Sequence, residues 1–413
     1  MQIKSFFFNI SCRFLDSLTK FVLYLTLPFA LGYSETSLIH IFLSFIFITS
    51  VIFRMSSENL ILKKLSILNF DIENFKIFVR DTLYIIFKGY LVFILIIFIL
   101  QNFSDHFQNN LTLKMFNDYN VYILINSLVF TIIAIVSFGL RALGRINLSI
   151  LSFGSIWPIL LILIIVIKVN FNYDLDFIVK YFTLFFFSFG VLLLIYFYKL
   201  VNQKKNSNKS IMVNELKLDR KNSYIQSISS LFINWVPLVI FGLFNDEITT
   251  GIFGTYFKIG LGFFYFLNVI DFISIKNISD YFQTNDKIKI KETFEYYKKI
   301  KIGLALTIMI GSIIFLSFYN FFLNTQIVTN EFYIFLTILL IASIFGPVDI
   351  IFFIINKENI LARSSIFFII SILFCFTPAA LFFDHSISLY IFSVLFFLNY
   401  LYKHQLYKKE INF

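Results

Sequence analysis

KLVNQKKNSNKSIMVNELKLDRKNS, residues 199–223, divides the chain. It carries seven Lys/Arg and no long apolar run, almost halfway between long hydrophobic segments. Such a stretch reads as a solvated linker joining two membrane-embedded halves. Two matched halves predict a transporter.

Outward from the linker, composition sets the class. With 59% apolar residues, 20% aromatics and a mean hydropathy of +0.84, the chain has too little charge to cover a soluble globule. A transmembrane β-barrel would show alternating segments of about 10 residues, whereas these apolar runs are long and continuous, as helices crossing roughly 30 Å of hydrocarbon require. The expectation is an all-α membrane protein. The 60 Phe residues fit a low-GC coding sequence as well as a bilayer and carry no functional weight. Cys12 and Cys375 fall in a tail and a membrane helix, so no disulfide framework is expected. The net charge of +10 resides between hydrophobic spans, where topology explains it better than nucleic acid does. Residues 1–13 have too short an apolar run for a signal peptide and lack a small-residue cleavage site, so the N-terminus is expected to stay on the chain, inside the cell.

Twelve spans are predicted: 14–32, 38–53, 82–101, 119–140, 148–167 and 177–198, then 224–244, 251–275, 302–323, 332–355, 365–383 and 386–402. They form two six-helix lobes, 1–198 and 224–413. Charge bias tests the count. With both termini cytoplasmic, only Lys114, Lys168 and Lys180 of the 34 Lys/Arg fall outside or at an outside span edge, and only Lys20, Lys88 and Lys258 lie deeper within spans. The rest occupy inside segments or their edges, which fixes the orientation.

The five prolines suggest a repeat. Pro28 in the first span matches Pro237 in the seventh, and Pro158 in the fifth matches Pro378 in the eleventh. Pro347 in the tenth has no proline partner in the fourth, although Gly139 and Gly346 occupy comparable places. A six-span displacement preserves orientation, so the halves would be parallel repeats about an axis along the membrane normal. Chance coincidence is the competing explanation, since proline is fairly frequent in membrane helices. Pro28 and Pro237 are hinge candidates, because proline frees a carbonyl and kinks the helix. A static kink that shapes packing is the alternative.

Ionisable groups inside spans are costly unless they face water or a partner. Lys20, Lys88, Lys258, Asp271 and Asp349 qualify, with Asp16 and Glu58 nearer the cytoplasmic ends. Asp16 and Lys20, four apart on one helix, can neutralise each other. Lys88 and Asp271 can snorkel. Lys258 has no acidic residue one turn away on its own helix, which favours a lumen-facing role. Three intramembrane lysines would suit an anionic cargo, and Asp349 could instead be a proton or cation site; a helix–helix contact there is equally open. There is no Walker A sequence, no GxSxG, no HExxH and no metal-spaced Cys/His cluster, so no cofactor, metal or catalytic residue is predicted. An enzyme would need its site in the lumen or in loops too short to build a domain.

The run SISSLFINWVPLVIFGLFNDEITTGIFGTYFKIGLGFFYFLNVIDFISIKNISDYFQTNDKIKIKETF resembles the seventh and eighth spans of O-antigen (Wzx-type) and related polysaccharide flippases, of the superfamily that includes MATE exporters and lipid II flippases. RMSSENLILKKLS after the second span and RALGRIN after the fourth are similar too. ISIKNISDYF departs from the pattern, lacking the proline many relatives carry at the end of the eighth span. The resemblance implies movement of an undecaprenyl-pyrophosphate-linked oligosaccharide across a bacterial inner membrane, by alternating access between two six-helix lobes around a cationic cavity. Lys20, Lys88 and Lys258 are then the cavity cations, and Asp16, Glu58, Asp271 and Asp349 the coupling or gating candidates. The implied partners are the lipid-linked oligosaccharide, membrane lipids and other polysaccharide-assembly proteins, with no nucleic acid. Two competitors remain. An O-antigen polymerase would be expected to carry a large periplasmic loop, whereas the longest outside loop here is about residues 102–118. A MATE-type small-molecule exporter would share the fold.

Overall fold

A backbone in hydrocarbon must satisfy its own polar groups, and helix does so within one segment. Helix accordingly accounts for nearly every described residue. The structure, a computed structural model, describes residues 2–54, 56–57, 61, 84, 86–91, 93–94, 110–202, 217–284, 287–323, 329–354 and 358–410. The expected third span, much of the basic loop before it, Glu58 and residues 203–216 of the linker lie wholly or largely outside the described residues.

Helix α1 runs Gln2–Arg54. Its apolar part, Ser11–Arg54, has 44 residues, about 66 Å at 1.5 Å each and so roughly twice the hydrocarbon thickness. It is interrupted at Gly32 (φ 73°, ψ 172°), one turn after Pro28. Only a residue without Cβ takes that backbone readily, and the break falls between the expected first and second spans. After it come α2 (Leu111–Ala142), α3 (Ile146–Ile150), a π-helical turn (Leu151–Ser155), α4 (Ile156–Phe171) and α5 (Leu175–Asn202). Past the linker, α6 (Lys217–Asn234) and α7 (Val236–Phe244) meet at a 46° bend beside Pro237. There follow α8 (Glu247–Gln283), α9 (Lys287–Leu323), α10 (Asn330–Ile341) with a 3-10 turn (Ala342–Phe345), and α11 (Val348–Ile354). The chain ends in α12 (Glu358–Ser371), a second π turn (Ile372–Phe376), α13 (Thr377–Phe382) and α14 (His385–Glu410). Among the described residues eight helices are long and apolar enough to cross a bilayer, or nine if the bent pair is one span; this is a multi-pass membrane protein.

Two compact units result. The first comprises Met1–Leu231 with Leu238–Gly251, the second Phe232–Pro237 with Ile252–Phe413. The division does not follow the linker, because glycines let the C-terminal half of the seventh expected span and the start of α8 approach α1. A Cβ on Gly242 would meet Ile41 and Thr112 at 2.8 Å, and one on Gly251 would lie 2.0 Å from the Tyr33 carbonyl oxygen. Asn110 Nδ2 donates to the Leu243 carbonyl at 2.5 Å, and the Ser34 hydroxyl donates to the Glu247 carboxylate. Within the first unit α1 packs on α2 and α4, and α2 on α5, with Phe47 between Phe130 (4.5 Å) and Trp157 (5.1 Å). In the second, α14 packs on α10 and α12, and Phe257 and Phe264 meet Phe392 (4.8 Å) and Phe396 (4.9 Å) edge-on.

Candidate functional site

In the second unit the bend between α6 and α7 exposes helix-end carbonyls that need donors. Lys258, on α8 and only 3% exposed, supplies one: its Nζ donates to the Asn234 carbonyl at 2.5 Å and stands 3.1 Å from the centroid of the Trp235 ring. The indole face and the carbonyl together give the buried lysine end polar contacts where water is absent. Lys258 is thus seated on the break of the seventh expected span, two residues before Pro237. Neighbouring Gly260 lets α8 approach α10, since a Cβ there would fall 2.4 Å from the Phe335 ring.

Two ion pairs lie further along the same unit. Lys301, at the start of the apolar part of α9 and fully buried, donates to both Asp271 oxygens at 2.8 and 2.7 Å. Lys403 on α14 stands 2.8 Å from Asp349 Oδ1 on α11, off the hydrogen-bond direction. Asp271 and Asp349 are within electrostatic reach of each other, and both act on Tyr400. Two carboxylates and two ammoniums from four helices therefore make one cluster. Burying charges this way is costly unless each is paired. Asp271 is enclosed, while the Asp349 side chain keeps 41% of its surface open, so Asp349 is the member from which a proton or cation could exchange.

In the first unit, Lys20 Nζ lies 2.7 Å from Asp16 Oδ1 on the same face of α1, and Asp16 packs onto the π turn, where a Cβ on Gly154 would fall 2.0 Å from that oxygen. Lys88 is exposed and lies 4.4 Å from the centroid of the Tyr84 ring. Pro28 stays inside α1, one turn before the Gly32 break. The structure gives each of the three expected cavity lysines a local seat: Lys20 and Lys88 in the first unit, Lys258 in the second. It brings Asp271 and Asp349 together; Glu58 is outside the described residues. Sequence reasoning missed Lys301 and Lys403, which stand at span edges where a lysine reads as a topological charge. A further pair, Lys168 on α4 and Glu35 on α1 at 2.6 Å, was missed for the same reason. Among the described residues no three His, Cys, Asp or Glu side chains gather as metal ligands would.

Against solved structures, the chain superposes on an inward-facing multidrug resistance MATE family transporter of the MOP superfamily with a TM-score of 0.67, at 12% identity over 98% of each chain. The fold is that of the MATE transporters. The MATE multidrug transporter DinF-BH, in a ligand complex, gives 0.65 at 15% identity, over 98% of this chain and 94% of that one. MATE in complex with MaD3S gives 0.62 at 12%, over 98% and 95%. No protein-family model and no curated protein sequence matches. At these identities the MATE likeness shows the architecture alone.

Proposed function

We propose that the chain is a flippase that carries an undecaprenyl-pyrophosphate-linked O-antigen or polysaccharide repeat unit across a bacterial inner membrane by alternating access. The observation that carries the reading is a MATE fold over 98% of the chain combined with a lysine, Lys258, buried in a membrane span. Alternating access needs two units that move against each other, and an anionic headgroup needs positive charge poorly screened by water. In this reading the chain makes twelve crossings, α1 contributing two, with both termini cytoplasmic and lobes at 1–198 and 224–413. Lys20, Lys88 and Lys258 attract the diphosphate; Asp349, paired but open, is the coupling group, with Asp16, Glu58 and Asp271 as supporting charges. Pro28 and Pro237 give the first and seventh spans their bends. The chain catalyses no covalent step.

A small-molecule exporter is the second reading, favoured by the fold alone, since the solved neighbours include multidrug transporters. Proteoliposomes separate the two. With the full chain reconstituted, a fluorescent polyprenyl-diphosphate oligosaccharide is expected to become accessible on the opposite leaflet, and a cationic dye is not expected to accumulate. Dye transport without lipid movement would replace the flippase reading with the exporter. Lys258→Ala is expected to stop lipid movement while the protein remains in the membrane; undiminished movement would remove Lys258 from the pathway.

A further inference from the structure

The two lysine–carboxylate pairs of the second unit differ in a respect that bears on ion exchange. Lys301 donates to both Asp271 oxygens, at 2.8 and 2.7 Å, so that carboxylate is filled. Lys403 stands 2.8 Å from one Asp349 oxygen, Oδ1, which is itself buried. The Lys403 side chain is 9% exposed and that of Asp349 41%. Asp349 therefore carries a resident cation on its buried oxygen, and its open surface belongs to the rest of the side chain.

Helix α11, which holds Asp349, packs against α12 and α14. Helix α14 brings Lys403 and Tyr400, whose ring centroid lies 5.0 Å from the Lys403 Nζ, while His404 is turned to the Phe345 ring at 5.3 Å. Among the described side chains of α12 the charged one is Arg363, which is exposed. On α8 the Asp271 carboxylate is within electrostatic reach. Helix α9 holds Lys301 on Asp271 and places Lys298 beside Gly346, where it pairs with Glu295 at 3.4 Å.

A metal cation and a proton make different demands on such a carboxylate. Hard cations gather several oxygen ligands. Here Asp271 is filled by Lys301, and among the described residues no three His, Cys, Asp or Glu side chains gather as ligands. A metal cation on Asp349 would meet the Lys403 charge at close range, in surroundings that screen it poorly. A proton needs one oxygen and no coordination shell.

We propose that Asp349 exchanges a proton and that Lys403 sets this specificity, as a built-in cation that keeps metal cations off the carboxylate. The inference rests on the reading of Asp349 as the coupling group, and it holds for a lipid or a small-molecule cargo alike. Proton uptake neutralises Asp349 and leaves Lys403 buried without its counter-charge. The loaded cluster then has one positive charge in excess, which favours an arrangement in which that lysine reaches water.

The test is infrared difference spectroscopy, acid minus neutral pH, of the full chain in lipid nanodiscs without cargo. Wild type is expected to show a protonated-carboxyl C=O band that Asp349→Asn lacks. Where that variant fails to fold, the double variant Asp349→Asn, Lys403→Gln removes both charges of the pair and makes the same comparison. At a pH where the band is half developed, replacing choline chloride by sodium chloride or potassium chloride should leave its amplitude unchanged. Lys403→Asn exchanges the resident cation for an amide oxygen, and sodium should then compete with the proton and diminish the band. A wild-type band suppressed by sodium would overturn the inference while leaving Asp349 as a coupling site for a metal cation. A wild type without the band, or a band that persists in both Asp349 variants, would remove Asp349 from coupling altogether. Lys403→Asn as indifferent to sodium as wild type would overturn the part given to Lys403.

Discussion

The halves of the chain build the same spans with the same devices in two places and with different devices in two others. Before Pro158 and before Pro378 the helix loosens into a π turn, and the Ile156 and Thr377 N–H groups donate five residues back, to Leu151 and Ile372. Proline lacks an N–H and crowds the carbonyl four residues earlier, so a wider turn just ahead of it relieves the strain. The next helix in each half is capped alike: Asp174 accepts from the Phe177 N–H at 3.0 Å, Asp384 from that of Ile387 at 2.9 Å. The fourth and tenth expected spans part company. Helix α2 is capped by Asn110, kinks early at Tyr119 (φ −121°, ψ 17°) and then runs on to Ala142, whereas α10 has no side-chain cap bond to its N–H groups and its span breaks late, at Gly346. The shared devices are those backbone chemistry imposes locally, and the divergent ones lie where each unit has its own charges to house.

Charge housing makes the largest predicted contrast. Lys301 is enclosed and bound to an enclosed Asp271 on another helix, while Lys20 meets Asp16 on its own helix with 28% of its side chain exposed. Breaking an enclosed pair strands a charge, so Lys301→Ala should cost about 3–5 kcal/mol of unfolding free energy in detergent. The double variant Asp271→Asn, Lys301→Met should recover most of it. Lys20→Ala should cost no more than about 1 kcal/mol. Equal losses at the two sites would erase the distinction between the units.

Next come Gly139 and Gly346, which occupy comparable places in the two halves for unlike reasons. Gly346 has φ 74°, a backbone that side chains resist, and a Cβ would press on Phe294 at 3.1 Å and Lys298 at 3.2 Å. Gly139 is helical, and its Cβ would strike the Phe197 ring at 2.6 Å. Alanine at either should cost about 1–3 kcal/mol. Phe197→Leu is expected to rescue Gly139→Ala, whereas trimming Phe294 should leave Gly346→Ala impaired. A full rescue of Gly346→Ala by such trimming would make the two glycines equivalent.

These contrasts mark how far the sequence could be read. Hydropathy placed the eight or nine long apolar helices among the described residues because crossing hydrocarbon leaves few alternatives, and Pro158, Pro237 and Pro378 marked where helices loosen or bend. It could not reveal that Lys258 seats on a carbonyl, since an acceptor common to every residue leaves no trace in composition. Nor could it pair Asp271 with Lys301, thirty residues away, when lysines at span edges are already explained by topology. The unit boundary was equally hidden. It depends on Gly242 and Gly251 admitting α1, and a glycine in an apolar run says that something comes close without saying what.

The Asp caps give a smaller effect that should be the same in both halves. Asp174→Ala and Asp384→Ala should each cost about 1 kcal/mol by leaving one helix-end N–H unsatisfied. A loss at only one of them would show that the repeat stops short of its helix starts.

The smallest predicted effect separates the turns that follow the first and seventh expected spans. The first turns on Gly32 with positive φ; the second uses Asp246, which accepts from the Thr249 N–H at 2.9 Å and its hydroxyl at 2.8 Å. Those bonds favour the carboxylate and hold the Asp246 carboxyl below the usual range. A depressed carboxyl stabilises the fold above its unfolded pKa, about 3.9, and that contribution fades as pH falls through the lower, folded value. Asp246→Asn keeps the cap shape but cannot titrate. Wild type should therefore exceed Asp246→Asn by well under about 1 kcal/mol near neutral pH, where the helix N-terminus also favours the negative charge, and the gap should close as acid protonates Asp246. A gap that stays constant down to acid pH would mean that the bonds from Thr249 do not prefer the ionised form. The turn after the seventh span would then be set by shape alone, as the turn at Gly32 is.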